Sequence, residues 1–321
     1  MSISSIVLAV SILFTGDILL DRGVREVINH RGVDYLFTQE VDSLFASCDY
    51  VVANLECPAT TIRQPDFKRY VFRAEPEWLD VLRAHGITHL NLANNHSIDQ
   101  GRAGLVDTKR NIEAAGMIPF GAGLTMAEAA EPLIITHHPT PITCSAGFVI
   151  PSLLNSGICN PVAQRNIYIV PTLRMALENY SYLPDKPCVS QEPEDSLVAR
   201  IRRLRANDPR AVIVVCPHWG GEHTLRPIPS QIETAHRIID AGADLIVGHH
   251  THTLQTIEVY RGRRIFYSIG NFIFDQQKPI NTQACVVKLT VDADNIDVET
   301  IPISIRRCVP YLNSSWANSV R

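Results

Sequence analysis

Five apolar, strand-like runs in the chain each end in a short polar cluster, and this feature restricts the possible folds most strongly. Helix-like segments separate several of the runs, and this alternation predicts an α/β fold with a largely parallel sheet. Sites in such sheets form beyond the carboxyl ends of the strands, so we expect the clusters to lie side by side. The clusters are Gly16-Asp17, Asn54-Leu55-Glu56, Asn94-Asn95-His96, His218-Trp219-Gly220-Gly221-Glu222 and Gly248-His249-His250-Thr251-His252.

Each cluster taken alone has an ordinary structural explanation. An aspartate after a strand often caps the next helix, Asn54 suits a turn, and a lone histidine is more often a structural residue than a ligand. The segment from His249 to His252 is the exception, because three histidines in four residues are costly to place after a buried strand without a metal ion or a phosphate group. The five clusters together favour a metal site. Carboxylates and imidazoles without cysteine suit Mn²⁺, Fe²⁺ or Zn²⁺.

The remaining pattern indicates a mixed structure with two sheets in one domain over residues 1–310. Residues 137–193 are rich in proline and have few periodic runs, so we expect an irregular insertion there, and a loose tail over residues 311–321. Predicted strands cover 6–15, 50–53, 88–93, 211–216, 244–247, 256–260, 264–269, 284–291 and 296–305. Predicted helical segments cover 35–46, 77–84, 105–115, 195–205 and 231–241.

Composition and charge exclude some classes of protein. Of the 321 residues, 45% are apolar, which is enough for a large core. The formal net charge of −4 argues against a nucleic-acid binder that relies on a basic face. None of the eight cysteines forms a CxxC pair, and several lie in apolar runs, which suits buried thiols in a reducing compartment.

The apolar N-terminal run from Ile3 to Leu20 is interpreted as a strand, and not as a signal peptide or a membrane-spanning helix. No Lys or Arg precedes it, and Ser11, Thr15 and Asp17 interrupt it. We therefore expect a cytoplasmic protein without stable membrane insertion, with secretion as the less favoured alternative. The sequence indicates no oligomeric state.

The polar clusters, in this order, resemble those of the poly-γ-glutamate capsule-biosynthesis (CapA) family, a branch of the calcineurin-like metallophosphoesterases. The resemblance runs from about Thr15 to Asp275 and also includes the strings from Leu92 to Gly101, from Ala241 to His252 and from Tyr267 to Phe272. It implies a four-layer α/β/β/α sandwich of two mixed sheets, with the site between the sheets.

The resemblance also implies two divalent metal ions (Mn, Fe or Zn) and a role for each residue of the clusters. Asp17 and His96 are the implied catalytic residues, with His96 as general acid. The implied metal ligands are Asp17, Glu56 (as the bridge), Asn95, His218, His250 and His252. Residues implied to support the ligands or to contact substrate are Asn54, Asn94, Glu222, His249, Ser268 and Asn271.

The chain departs from the general phosphoesterase pattern at three positions. Leu19 stands where the opening Asp-x-His motif has its histidine, and the bridging acid is Glu56 instead of an aspartate. Ser97 stands where an aspartate usually follows Asn-His, although Asp99 is near. These departures weaken one of the two metal positions.

Three hypotheses of function follow. The first is a metal-dependent hydrolase that acts on a phosphoester or a γ-glutamyl-type amide, in a small molecule or a polymer. The second is a non-catalytic, metal-binding accessory protein of capsular polymer biosynthesis or export. The third is a structural α/β domain whose histidines have no chemical role.

Overall fold

The computed structural model describes residues 9–137, 165–175 and 183–313 as strands and helices that form two large sheets with helices outside them. The strands are β1 (Val10–Ile18), β2 (Tyr50–Leu55), β3 (His89–Asn91), β4 (Ile118–Phe120), β5 (Ala122–Gly123), β6 (Leu133–His137), β7 (Arg165–Leu173), β8 (Cys188–Val189), β9 (Val212–His218), β10 (Leu245–Val247), β11 (Ile257–Tyr260), β12 (Arg263–Phe266), β13 (Asn271–Ile273), β14 (Gln283–Val291), β15 (Ile296–Arg306) and β16 (Val309–Leu312).

Seven helices and two short 3₁₀ turns occur in the same residues. The helices are α1 (Gly23–Arg31), α2 (Gln39–Ala46), α3 (Trp78–Ala84), α4 (Gly101–Ala114), α5 (Met126–Ala129), α6 (Glu194–Asn207) and α7 (Pro229–Asp240), and the 3₁₀ turns are Val33–Leu36 and Pro279–Asn281. Local sequence explains several ends. The Thr38 hydroxyl accepts a hydrogen bond from the Val41 amide at the start of α2, and Gly116, at φ 77°, follows the end of α4. None of these helices combines the length and the hydropathy that crossing a bilayer requires.

Both large sheets are mixed. In the first, the order is β16-β15-β14-β1-β2-β3-β4, where β1 to β4 run parallel and β14 to β16 form an antiparallel end; β13 also pairs with the end of β1. In the second, the order is β11-β12-β10-β9-β7-β6, with parallel central strands and antiparallel edges. The mixed structure with two sheets that the sequence predicts is therefore present.

The two sheets pack face to face, and helices cover both outer faces. Side chains of β1 alternate between the layers: Ile12 and Phe14 lie in the core between the sheets, whereas Leu13 lies in the core beneath α1 to α4. A third core joins the outer face of the second sheet to α6 and α7, through residues such as Ile213 and Ile238. The four-layer α/β/β/α sandwich is thereby confirmed.

The prediction of an irregular region over residues 137–193 is wrong for residues 165–173. These nine residues form β7, which pairs with β9 and β6 in the second sheet. Ile167 and Ile169 of this strand are fully buried between the sheets, so their burial outweighs the effect of Pro171 and of the other prolines nearby. Residues 138–164 and 176–182 lie outside the described residues.

The predicted loose tail over residues 311–321 is also wrong at its start. Tyr311 and Leu312 belong to β16, and the Asn313 amide donates a hydrogen bond to the Pro302 carbonyl. Residues 314–321 are outside the described residues, as are residues 6–8 of the first predicted strand. The six cysteines of the described chain are free thiols, and all except Cys48 are buried.

Candidate metal centre

The polar clusters lie together at the carboxyl ends of parallel strands from both sheets. Asp17 is the next-to-last residue of β1, and Glu56 directly follows β2. His218 is the last residue of β9, and His250 and His252 follow β10. The centre therefore forms where the first sheet and the second sheet meet, as strand order alone requires.

Two groups of potential ligands share one carboxylate. Glu56, His218 and His250 form the first group, and Asp17, Glu56 and His252 form the second. In each group the potential ligand atoms lie within 4.8 Å of one another, and all five residues are buried. A carboxylate common to both groups is the arrangement in which one side chain can bridge two ions.

Asn95 joins the first group through His218. The Asn95 Oδ1 atom lies 2.9 Å from His218 Nε2, and the His250 Nδ1 atom lies 3.2 Å from the same nitrogen. In the second group, His252 Nδ1 lies 3.5 Å from Asp17 Oδ2. The structure thus brings together all six residues that the sequence suggests as ligands.

Glu56 provides the test of whether a cation fits this centre. Its side chain is fully buried, and neither carboxylate oxygen has a hydrogen-bond partner among the residues that the structure describes. Burying an ionised carboxylate without partners costs several kcal/mol, roughly, even after relaxation. A divalent cation between Glu56 and the imidazoles would remove that penalty, so the residues fit a metal.

The buried acids and bases of the centre influence one another's ionisation. Burial raises the pKa of Glu56 well above its ordinary value, and the negative charges of Asp17 and Glu222 raise it further, whereas Arg22 opposes the shift. Burial also raises the pKa of Asp17, but the hydrogen bond with His252 and the charges of His249, His218 and His252 together outweigh burial and hold this pKa below its ordinary range. The two carboxyl groups therefore shift in opposite directions, with Asp17 the stronger acid and Glu56 the weaker one.

The two histidines of the first group have lowered pKa values. Burial lowers the pKa of His218 well below its ordinary value, and the nearby His250 lowers it further. Burial likewise lowers the pKa of His250 to about 4, with a smaller contribution from His252. Both imidazoles are neutral near pH 7, which is the form in which histidine binds a metal.

A chain of amide side chains holds Asp17 in place. The Asn54 amide donates to Asp17 Oδ1 over 2.8 Å, and the Asn94 amide donates to Asn54 Oδ1 over 3.1 Å. Asn94 Oδ1 in turn accepts hydrogen bonds from the His96 amide and the Ser97 hydroxyl. The predicted supporting residues Asn54 and Asn94 therefore link the first strand to the loop that carries His96.

The other predicted supporting residues take different positions. Asn271 Oδ1 lies 3.0 Å from His252 Nδ1, whereas His249 Nε2 lies 3.1 Å from the backbone oxygen of Thr15. Ser268 is fully buried, and its hydroxyl accepts a hydrogen bond from the Gly270 amide. Glu222 is exposed, and its carboxylate lies 3.7 Å from His223 Nε2. Asn271 thus contacts a potential ligand directly, and His249 anchors the loop to β1.

His96 is oriented by an acid that the sequence places three residues later. His96 Nδ1 lies 2.9 Å from Asp99 Oδ2, and Lys68 Nζ lies 2.5 Å from Asp99 Oδ1. The Phe72 ring packs on the His96 ring with centroids 4.3 Å apart. The imidazole is therefore held on one nitrogen and on one face.

The loop after β10 has an unusual backbone. His250 and His252 adopt φ values of 94° and 55°, in the left-handed region that side chains other than glycine rarely occupy. Such conformations cluster at functional sites, because the surrounding structure must hold them in place. Gly248 begins this loop at a point where a Cβ atom would meet the Tyr267 carbonyl oxygen at 2.1 Å.

Sequence reasoning missed three residues beside the centre. Lys68 and Phe72 belong to the segment between β2 and α3, and Phe274 follows β13, with its ring 4.6 Å from the His252 ring. Neither segment carries a periodic pattern or a motif that singles these residues out. Asp99 had a signal, because the sequence shows an acid close to His96.

A cavity of about 430 Å³ lies far from this chemistry, at the amino ends of β7, β9, β10 and β12. Its arginines are engaged by the protein itself: Arg205 and Arg263 contact Asp244, and Arg261 contacts Asp240. These contacts are typical of a structural ion network, so the metal centre remains the candidate site.

Comparison with known proteins finds similar sequences over most of this chain. A model of the family described as "Bacterial capsule synthesis protein PGA_cap" matches residues 11–276. The capsule biosynthesis protein CapA of Bacillus anthracis is 30% identical over 305 residues, which cover 92% of this chain and 67% of that protein. A probable polyglutamine synthesis accessory protein of Mycobacterium tuberculosis is 25% identical over 349 residues, which cover 93% of this chain and 85% of that protein.

Among solved structures, the NAD nucleotidase NadN of Haemophilus influenzae is similar to this chain, with a TM-score of 0.48 and 12% sequence identity. The similarity covers 93% of this chain and 50% of that chain, so this chain spans about half the length of NadN.

Proposed function

The chain belongs to the bacterial capsule synthesis protein PGA_cap family, and from this premise we propose that it is a metal-dependent hydrolase with a dinuclear site. The observation that carries the proposal is the position of Glu56. This carboxylate is buried, has no hydrogen-bond partner among the described residues, and belongs to both groups of potential ligands.

The proposed ligands divide between two positions. Glu56, Asn95, His218 and His250 would hold one divalent ion, and Asp17, Glu56 and His252 would hold the other. Bound Mn²⁺, Fe²⁺ or Zn²⁺ ions supply Lewis acidity, which activates water for attack and stabilises developing negative charge. Leu19, which replaces the histidine of the opening motif, leaves the second position with fewer protein ligands.

The protein's own groups have distinct tasks in this proposal. Asn54 fixes Asp17 through its amide, and Asn94 ties Asn54 to the loop of His96. His96 donates a proton to the leaving atom of the substrate. Because Asp99 engages Nδ1 of His96, the Nε2 atom is the ring nitrogen left to carry that proton.

The proposed substrate is a phosphoester or a γ-glutamyl-type amide in a small molecule or a polymer. A phosphoester suits this site because a dinuclear centre held by these residues would supply stabilisation of both the attacking and the leaving oxygen. The γ-glutamyl amide is suggested by the relatives, whose names refer to capsule and polyglutamine synthesis.

A second candidate function is a non-catalytic, metal-binding role in polymer assembly. The name of the Mycobacterium relative, an accessory protein of polyglutamine synthesis, favours it. The loss of the opening histidine at Leu19 favours it as well, since a weakened metal position limits catalysis.

Turnover by metal-loaded protein separates the two candidates. Protein loaded with Mn²⁺ or Zn²⁺ is assayed on bis(p-nitrophenyl) phosphate, p-nitrophenyl phosphate and γ-glutamyl-p-nitroanilide, and bound metal is measured in the same samples. His96→Ala is expected to lower kcat by about 10²–10⁴-fold without loss of metal. His30→Ala, at an exposed histidine of α1, is the control and should leave kcat unchanged.

Three results are decisive. Metal-dependent turnover that disappears in His96→Ala supports the hydrolase. Bound metal without turnover on these substrates supports the accessory role. Protein that takes up neither Mn²⁺ nor Zn²⁺ refutes both candidates.

A further inference from the structure

We propose that Arg22 binds an oxyanion of the substrate at the edge of the metal centre, and that Asp275 positions the Arg22 guanidinium. This inference rests on the proposed function and adds a substrate class to it: molecules that carry a phosphate or carboxylate group beside the bond to be cleaved. Arg22 lies on the connection between β1, which carries Asp17, and α1.

Two aromatic rings place the Arg22 guanidinium next to the centre. Its Cζ atom lies 5.0 Å from the centroid of Phe72 and 5.4 Å from that of Phe274. The Phe72 ring packs on His96, and the Phe274 ring packs on His252, with centroids 4.3 Å and 4.6 Å apart. A single aromatic ring therefore separates the Arg22 guanidinium from His96, the proposed general acid, and another separates it from His252, a proposed ligand.

The guanidinium keeps hydrogen-bonding capacity for a ligand. Its Nη2 atom pairs with Asp275 Oδ1, and Asp275 Oδ2 accepts a hydrogen bond from the Gly23 amide over 3.1 Å. The Nε atom is buried and has no hydrogen-bond partner within residues 9–137, 165–175 and 183–313. About a third of the side chain is exposed, so the guanidinium borders solvent although its Nε atom does not. Asp275 thus binds the Nη2 atom of the guanidinium and leaves the Nε donor free.

The backbone of Arg22 is also unusual for a residue that serves only packing. Its φ of 52° and ψ of −128° are costly for any residue with a Cβ atom, and glycine adopts them far more readily. Strained backbone conformations occur mainly at functional sites, so this conformation supports a functional role for the Arg22 side chain.

The local charge supports an anion as the ligand. Arg22 adds a positive charge at the edge of a centre that contains the buried acids Asp17, Glu56 and Asp99. A guanidinium presents a planar fork that matches phosphate and carboxylate oxygens, which makes it suited to orient such a group.

The test measures binding of inorganic phosphate and of L-glutamate to Mn²⁺-loaded protein by titration calorimetry, with bound manganese determined in each sample. Arg22→Met is expected to weaken binding of the recognised anion by about 10- to 100-fold at unchanged manganese content. Arg22→Lys should retain part of the affinity, since it keeps the charge and loses the fork. Arg31→Met is the matched control, because Arg31 is the last residue of the helix that follows Arg22 and its cation lies over the Tyr35 ring.

A second variant separates binding from folding. Arg22→Gly relieves the backbone conformation, so it should be at least as resistant to thermal unfolding as the wild type while it loses anion affinity. Tighter binding of phosphate than of glutamate identifies a phosphate group as the ligand, and the reverse identifies a carboxylate.

The outcomes are distinguishable from a failure of the proposed function. Wild-type affinity in Arg22→Met and Arg22→Gly overturns the inference, as does a manganese-loaded wild type that binds neither anion. Anion binding that depends on Arg22 in a protein without turnover upholds the inference and refutes only the hydrolase.

Discussion

The Nε2 atom of His218 lies 3.6 Å from the Oε1 atom of Glu56, although the two residues come from different sheets. The same nitrogen lies 2.9 Å from Asn95 Oδ1 and 3.2 Å from His250 Nδ1. A single imidazole nitrogen carries at most one proton or one lone pair, so it cannot satisfy three neighbouring polar atoms at once. The convergence is thus better suited to a cation than to a hydrogen-bond network.

The first prediction concerns Glu56→Gln. This variant should lose the rise in thermal stability that Mn²⁺ gives the wild type, because it removes the carboxylate common to both groups of ligands. In the presence of EDTA it should be about 1–3 kcal/mol more stable than the wild type, since an unpartnered buried acid is gone. Unfolding curves with Mn²⁺ and with EDTA measure both effects.

Glu222→Gln provides the control for this experiment. Glu222 is an exposed acid of the neighbouring loop, so its variant should keep the wild-type response to Mn²⁺. If Glu56→Gln is stabilised by Mn²⁺ as much as the wild type, the assignment of Glu56 as a ligand is wrong.

The second prediction concerns Asp99→Asn and the orientation of His96. Asp99 contacts His96 Nδ1 over 2.9 Å, and its loss frees the imidazole to turn and to change tautomer. We expect kcat to fall by about 10- to 100-fold with little change in KM or in metal content. Steady-state kinetics on the best chromogenic substrate, combined with metal analysis, check this expectation.

Asp66→Asn is the matched control for Asp99. Asp66 lies in the loop of Lys68, and its side chain accepts a hydrogen bond from the Phe67 amide instead of contacting His96. Equal loss of kcat in both variants would show that the loop as a whole matters, and not the contact between Asp99 and His96.

Local patterns predict two mixed sheets and polar clusters at the strand ends, whereas the four layers and the six ligands are implied by the family resemblance. Buried strands are continuous apolar runs, and parallel strands bring their carboxyl ends to one edge. The strand β7 is not predicted, because Pro171 and the surrounding prolines indicate an irregular segment although Ile167 and Ile169 are buried. A composition of this kind does not show which residues a sheet will bury.

Local sequence patterns do not predict which residues surround the centre. Arg22, Phe72 and Phe274 come from three separate loops, and only the packing of the whole first sheet brings them together. The three-residue strand β13 is another example, since its pairing of Asn271 with Asp17 joins residues that are 254 positions apart in the chain. Long-range packing decides both features.

The third prediction concerns Gly248→Ala. A Cβ atom at this position would lie 2.1 Å from the Tyr267 carbonyl oxygen and 2.8 Å from Trp219 Nε1, so the backbone must shift. Such overpacking costs roughly 1–3 kcal/mol, and the shift should weaken Mn²⁺ binding because His250 and His252 follow directly. Denaturant unfolding and metal titration of the same variant measure the two effects.

Gly221→Ala is the control for Gly248, because a Cβ atom there would meet only Thr224 Cγ2, at an ordinary 3.7 Å. Its stability and its metal affinity should stay close to those of the wild type. A Gly248→Ala variant that behaves in the same way would contradict the tight packing of the loop.

The last prediction concerns pH and His89, a buried histidine of β3 away from the proposed ligands. Burial lowers the pKa of His89 from 6.5 to about 4. Between these values the unfolded chain binds a proton that the folded chain does not, so stability is lost as the pH falls through this window. The loss reaches about 2 kcal/mol at pH 5.

His89→Phe removes the titrating group, so its stability should fall less between pH 7 and pH 5 than that of the wild type, as measured by urea unfolding. Other buried histidines titrate equally in both proteins, and His30→Phe, at an exposed histidine, should keep the wild-type slope. Identical pH dependence in the wild type and His89→Phe would mean that folding does not lower the pKa of His89.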